Sequence, residues 1–154
     1  MKASSEGKTQ SEQSKLTPDE LGILKFIHET VLKTAKAPTV NEIQSALRKS
    51  EEYVVQTLTE LEKRDVLVRK EVTQEIASVY PFSLVPTEHR LVLEDGRELY
   101  AMCAIDALGM PNMFLRNVKI ISKCTKCKQE ITIRVENGKI VQLSHPNIVI
   151  WHQK

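Results

Sequence analysis

Leu21, Leu24, Ile27, His28, Val31 and Leu32 recur at helical spacing and predict a first amphipathic helix. Its start is written in Thr17-Pro18-Asp19-Glu20: a capping hydroxyl, a proline suited to the first helical position, and a glutamate able to complete a capping box. Ala37-Pro38 interrupts the period, and Thr39 is placed to cap a second helix with Asn41 and Glu42 in its first turn and Ile43, Ala46 and Leu47 on its apolar face. A third helix is predicted over residues 51–64, burying Val54, Val55, Leu58 and Leu61. Two β-like runs follow, at residues 66–68 and 76–80. Three helices and a hairpin outline a winged-helix-like unit over residues 16–80, while residues 1–15, rich in Ser, Gln, Lys and Glu, are expected to form a flexible tail.

Pro81 marks a change of pattern. Residues 82–86, 89–93 and 98–100 read as short strands, with Glu94-Asp95-Gly96-Arg97 as a hairpin turn. A short helix is expected to start at Cys103 and end near Gly109, because Pro111 cannot continue it. Strands are predicted again at 118–122, 130–135, 139–143 and 148–151, with Asn137-Gly138 forming a tight turn between the second and third of these. The expected fold class is therefore α+β: the winged-helix-like unit, then a β-rich domain over residues 81–154 that carries a short site helix. No internal repeat and no phosphate-binding glycine loop is visible.

Charge narrows the choice of partner. Lys plus Arg number 22 against 20 Asp plus Glu, so global charge asks for neither nucleic acid nor an anionic membrane. In the third helix Glu51, Glu52, Glu60 and Glu62 outnumber Lys63 and Arg64, and Arg69 and Lys70 of the hairpin are too few to reverse that sign; DNA is not an expected partner. Residues 1–15 contain no apolar core of a signal peptide, no run is long enough to span a bilayer, and three cysteines cannot all pair within one chain. A reducing, cytoplasmic location is expected.

Cys103 and Asp106 stand three residues apart where a strand runs into a helix, which places a soft nucleophile beside a proton carrier on one helical face. The helix N-terminus favours a thiolate, whereas the carboxylate opposes it and can accept the thiol's proton. That pairing suits proton-coupled capture of a soft metal. Cys124-Thr125-Lys126-Cys127 puts two further thiols on a tight turn, open to a structural, disulfide-forming or soft-metal role. A structural zinc would need four ligands, and only His145 and His152, at unusual spacing, are available to complete Cys124 and Cys127. Tyr100 and Met102 flank the first site and either line an apolar pocket or pack in the core; Met110 and Met113 read as packing residues, and His28 and His89 as ordinary helix and strand residues.

Leu99-Tyr100-Ala101, Cys103-Ala104, Asp106 and Leu108, followed by a strand into Cys124 and the strand-like 131–135, resemble the core of the alkylmercury (organomercurial) lyases over about residues 80–151. The resemblance implies that Cys103 is the mercury-binding nucleophile, Asp106 the proton shuttle and second mercury ligand, and Cys124 a buried structural cysteine. It also implies protonolysis of a carbon–mercury bond, giving a hydrocarbon and bound Hg(II), with no resident cofactor required. The family carries a further catalytic cysteine downstream, and none follows Cys127 here, so the second thiolate is expected from Cys127, Cys124 or an external thiol. Implied partners are an organomercurial or soft-metal ligand and small thiols or a mercury-accepting protein. The alternative reading is a non-catalytic thiol-based metal or organometal binder, or a winged-helix sensor.

Overall fold

The computed structural model describes residues 16–151, which divide between Tyr80 and Pro81 into two compact units. The tail expected over residues 1–15 lies outside the described residues.

The first unit contains helices α1 (Pro18–Thr34), α2 (Val40–Leu47) and α3 (Glu51–Lys63), then the antiparallel strands β1 (Leu67–Arg69) and β2 (Ile76–Val79). Local hydrogen bonding sets the helix starts. The Glu20 N–H donates to the Thr17 hydroxyl at 3.2 Å while the Glu20 carboxylate accepts the Thr17 N–H at 2.8 Å, and Thr39 and Glu42 form the same reciprocal box. Ile23, Ile27, Val31, Ile43, Val54, Leu58 and Leu61 form the core of the unit. Two expected core positions face outward instead, Leu21 at 47% and Val55 at 38% exposure, and Ala46 is also exposed. In α3 the buried set is Val54, Thr57, Leu58 and Leu61, a stripe at i, i+3, i+4 and i+7 from which Val55 is rotated away. Glu20 is drawn inside as a cap, with Arg64 at 3.6 Å from its carboxylate.

His28 is a fastener of this unit rather than a surface group. Its Nε2 donates to the Tyr80 carbonyl at 2.8 Å, and burial pulls its pKa below the ordinary value despite the opposing effect of that hydrogen bond. A histidine whose folded pKa is depressed binds fewer protons folded than unfolded, so its contribution is complete above the unfolded pKa and is lost as pH falls through that value toward the folded one. Urea midpoints of the protein are therefore expected to fall from pH 7 toward pH 5, and His28→Gln is expected to flatten that dependence.

The second unit is an antiparallel sheet in the order β3-β5-β4-β6-β7-β8, formed by β3 (Phe82–Ser83), β4 (His89–Leu93), β5 (Glu98–Ala101), β6 (Val118–Lys123), β7 (Glu130–Glu136) and β8 (Lys139–Leu143). Helix α4 (Ala104–Phe114) packs against β4, β5 and β6. Phe82, Leu91, Met110 and Ile120 are fully buried, and the Phe82 ring stacks on Phe114 with centroids 5.2 Å apart. Gly138 closes the β7–β8 turn at φ +73°, a backbone conformation that favours glycine, and a Cβ there would also make the Asn112 side chain move, its oxygen lying 2.6 Å from that position.

Two expectations need correction here. Helix α4 does not stop near Gly109 but runs through Pro111 to Phe114. Proline in a helix interior costs about 3 kcal/mol, and burial of Ala107, Met110 and Pro111 together with the Phe114 ring contact outweighs it. The helix is closed instead by Leu115 in the left-handed conformation, with the N–H groups of Leu115 and Arg116 both directed to the Pro111 carbonyl. Residues 148–151 are not a strand: they pair with no neighbour among the described residues, and Val149 and Trp151 are exposed. A β-prone run without a partner strand has nothing to satisfy its backbone groups except water. Among the described residues no helix is long and apolar enough to cross a membrane.

Candidate functional site

The connection from β5 into α4 is pinned on both sides before it delivers Cys103. The Thr87 hydroxyl donates to the Ala101 carbonyl at 2.7 Å, and the Met102 N–H donates to the Pro81 carbonyl at 3.2 Å. Cys103 itself is extended (φ −151°, ψ 176°) and serves as the N-cap of α4, its Sγ accepting the Asp106 N–H at 3.4 Å. The two side chains therefore meet as cap and first turn, rather than as two residues inside the helix. Both are half-buried.

Burial is the largest influence on the Cys103 thiol and pushes its pKa up. The Asp106 N–H pulls it down, the Asp106 carboxylate pushes it up through its charge and its hydrogen bond to the thiol, and the Ile105 N–H gives a smaller downward pull. The net shift is upward, so the thiolate bias expected of a helix N-terminus is overridden. At neutral pH the resting state is a protonated thiol directed at a carboxylate that can take its proton.

His89 belongs to the same neighbourhood, which its place in the sequence did not reveal. It opens β4, and its Nδ1 lies 2.9 Å from the Ser122 hydroxyl of β6. Burial lowers its pKa most, and the charges of Glu88 and Asp106 act against that shift, placing the ring within electrostatic reach of the Asp106 carboxylate. The signal available in sequence was register: His89 precedes Arg90, the partner of Tyr100, and so sits at the end of the sheet from which Cys103 departs. Tyr100 is half-buried and Met102 is 45% exposed, on either side of Ala101. A cavity of about 460 Å³, lined by Glu94, Asn117, Lys119 and Arg134 among others, lies at the opposite end of the same strands and contains no thiol.

Cys124 and Cys127 occupy the β6–β7 connection. Cys124 is half-exposed and Cys127 exposed, which corrects the expectation of a buried Cys124: burial falls off along β6 toward an exposed Lys123, where the strand ends. The Cys127 N–H, the Lys126 N–H and the Cys127 thiol all hydrogen-bond to the Cys124 sulfur and hold its pKa below the ordinary thiol range. Among the described residues no three of His, Cys, Asp and Glu gather into a metal-holding group. Cys127 is thus not assembled with Cys103 and Asp106 as their second thiol, and His145, paired with Ser144 at 2.8 Å, does not complete a zinc set with Cys124 and Cys127. His152 lies outside the described residues.

The family described as MerB, alkylmercury lyase, matches residues 82–154, which hold Cys103, Asp106 and the β6–β7 turn. Alkylmercury lyases of Staphylococcus epidermidis and Bacillus cereus are each 37% identical, over 71 and 68 residues. Residues 82–154, just under half of the chain, thus carry the match to the alkylmercury lyase family. The aligned segments cover 46% and 44% of this chain and 32% and 31% of those relatives, so the chain spans about a third of their length. Among solved structures, the mercury-bound form of MerB2 superposes with a TM-score of 0.76 at 26% identity, covering 93% of this chain and 68% of that one. The structural likeness to an alkylmercury lyase thus extends beyond the 82–154 match to include helices of the first unit, with the same mixture of helix and antiparallel sheet.

Proposed function

We propose that this chain cleaves carbon–mercury bonds by protonolysis, with Cys103 as nucleophile and Asp106 as proton carrier. The observation that carries the reading is the half-buried Cys103 sulfur, held at the start of α4 by the Asp106 N–H at 3.4 Å and so kept beside the Asp106 carboxylate, within the segment that matches alkylmercury lyases. As the Cys103 sulfur adds to the mercury of an organomercurial already carrying one small thiolate (R–Hg–SR′), its proton passes to Asp106 and a second sulfur–mercury bond forms, with the carbon–mercury and thiolate–mercury bonds both kept at this stage. Coordination by a second thiolate raises electron density on the mercury-bound carbon and makes it basic. Asp106 then returns the proton to that carbon, the carbon–mercury bond breaks, a hydrocarbon leaves, and Hg(II) stays bound to sulfur. The second sulfur is assigned to a low-molecular-weight thiol, because Cys127 is not gathered with Cys103 and Asp106. The organic group would lie against Tyr100 and Met102, and the mercury-bound state of MerB2 supports mercury as the ligand.

The first unit is read as winged-helix-like, three helices and a hairpin, without a role on DNA. Its hairpin cations are already engaged: Arg69 Nη2 lies 2.9 Å from the Glu62 carboxylate and 3.0 Å from the Thr59 hydroxyl, and Lys70 lies 2.8 Å from Glu75. Phosphates would have to displace those carboxylates. Cys103, Cys124 and Cys127 are all free, consistent with work in a reducing, cytoplasmic setting.

The test is hydrocarbon release. Reduced protein given methylmercury and excess small thiol is expected to release methane beyond one equivalent per chain. Stoichiometric mercury uptake without methane would instead make the protein an organometal binder.

A further inference from the structure

The β6–β7 turn carries a feature that the cleavage reaction leaves unused. Cys124 and Cys127 lie on one closed turn, in which the Cys124 N–H donates to the Gln129 carbonyl at 2.9 Å and the Lys128 N–H donates to the Cys124 carbonyl at 2.9 Å. Lys128 takes the left-handed conformation, φ 60°, that allows the chain to double back, and the strands on either side are locked by the Lys123–Glu130 and Ser122–Ile131 pairings. Two thiols are thereby held on one rigid support, both reachable from solvent. No third ligand is provided among the described residues, so the turn suits an ion satisfied by two soft sulfurs and not one that requires four.

Its location matters as much as its chemistry. Ala101 of β5 and Ser122 of β6 sit at the same end of the sheet, on either side of His89 in the intervening β4. Cys103 follows β5 by two residues and Cys124 follows β6 by one. The two thiol-bearing connections thus leave one end of the sheet two strand spacings apart, roughly 10 Å.

We propose that Cys124 and Cys127 form a second mercury site, a dithiol that binds Hg(II) and takes over the ion produced at Cys103. The handover part rests on the cleavage reading; the binding part does not. In the exchange, Hg(II) held by the Cys103 sulfur and one small thiolate forms bonds to the Cys124 and Cys127 sulfurs. The Cys103–mercury and small thiolate–mercury bonds break, and the two protons from Cys124 and Cys127 pass to Cys103 and the small thiol. No electrons are transferred, and charge is unchanged. The lowered pKa of Cys124 favours its attack as thiolate. The result is a Cys103 thiol restored for another turn.

Binding is tested apart from cleavage by adding Hg(II) chloride to Cys103→Ser protein, then separating free metal by gel filtration in the presence of a monothiol competitor. One Hg(II) per chain is expected to be retained at the elution size of the metal-free protein, with thiolate–mercury absorption in the ultraviolet. Two sulfurs on one turn act at high effective concentration, so adding Cys127→Ser or Cys124→Ser is expected to weaken retention about 100-fold. The exposed Cys127 variant keeps the comparison free of folding effects. Loss of Hg(II) from the Cys103→Ser protein, equal retention by the double variants, or a Hg(II)-induced doubling of size relative to the metal-free protein would overturn the proposal. Retention here combined with no methane from the unaltered protein would leave the dithiol standing and reject the cleavage reading; the opposite pair of results would do the reverse.

Discussion

Cys103→Ser protein is expected to release no measurable methane from methylmercury while remaining folded. The reason for both halves lies in one position. Cys103 supplies the soft atom that binds mercury, and a hydroxyl has neither the polarizability nor the acidity to replace it. The same residue caps α4 through its Sγ and the Asp106 N–H, and serine is among the preferred N-caps. Thermal midpoint and circular dichroism should therefore match the unaltered protein within error. A residual rate above a tenth of normal would place the nucleophile elsewhere.

Asp106→Asn is expected to separate two properties that usually change together. The carboxylate raises the Cys103 pKa through its charge and its hydrogen bond to the thiol, so its neutral replacement should lower that pKa and speed alkylation of Cys103 by iodoacetamide near neutral pH. Turnover should fall by about 100-fold or more, because no group remains to receive the thiol proton and return it to carbon. A more reactive thiol in a slower enzyme is the signature of a proton carrier. A variant in which thiol reactivity and turnover rose together would assign the proton to another group, and His89, whose ring is within electrostatic reach of Asp106, is the alternative.

The parts of the fold legible in the sequence were those governed by local chemistry. Thr17 with Glu20 and Asn137 with Gly138 act within a few residues, and the helix start and the turn appear where those residues predict them. The hairpin turn at Gly96 is of the same kind. What could not be read depended on distant partners. Pro111 stays within α4 because of burial and the Phe82–Phe114 stack, and Phe82 is far away in the chain. Residues 148–151 have strand composition, but a strand also needs a neighbour.

The site divides along the same line. Cys103 and Asp106 are close in sequence and therefore easy to connect, yet the upward shift of the thiol depends first on burial, which spacing does not encode. His89 enters through strand register, by way of Ser122 from β6. The resemblance places Cys124 in the interior, whereas its hydrogen bonds come from its own turn and leave it half-exposed.

Intact-protein mass spectrometry after a single turnover shows whether the Cys103 and Asp106 site breaks the carbon–mercury bond. Protein mixed with one equivalent of phenylmercury and excess small thiol should gain the mass of mercury without the phenyl group, as one equivalent of benzene appears. A stable adduct that keeps the phenyl group, with no benzene formed, would mean that the site binds organomercurials without cleaving them.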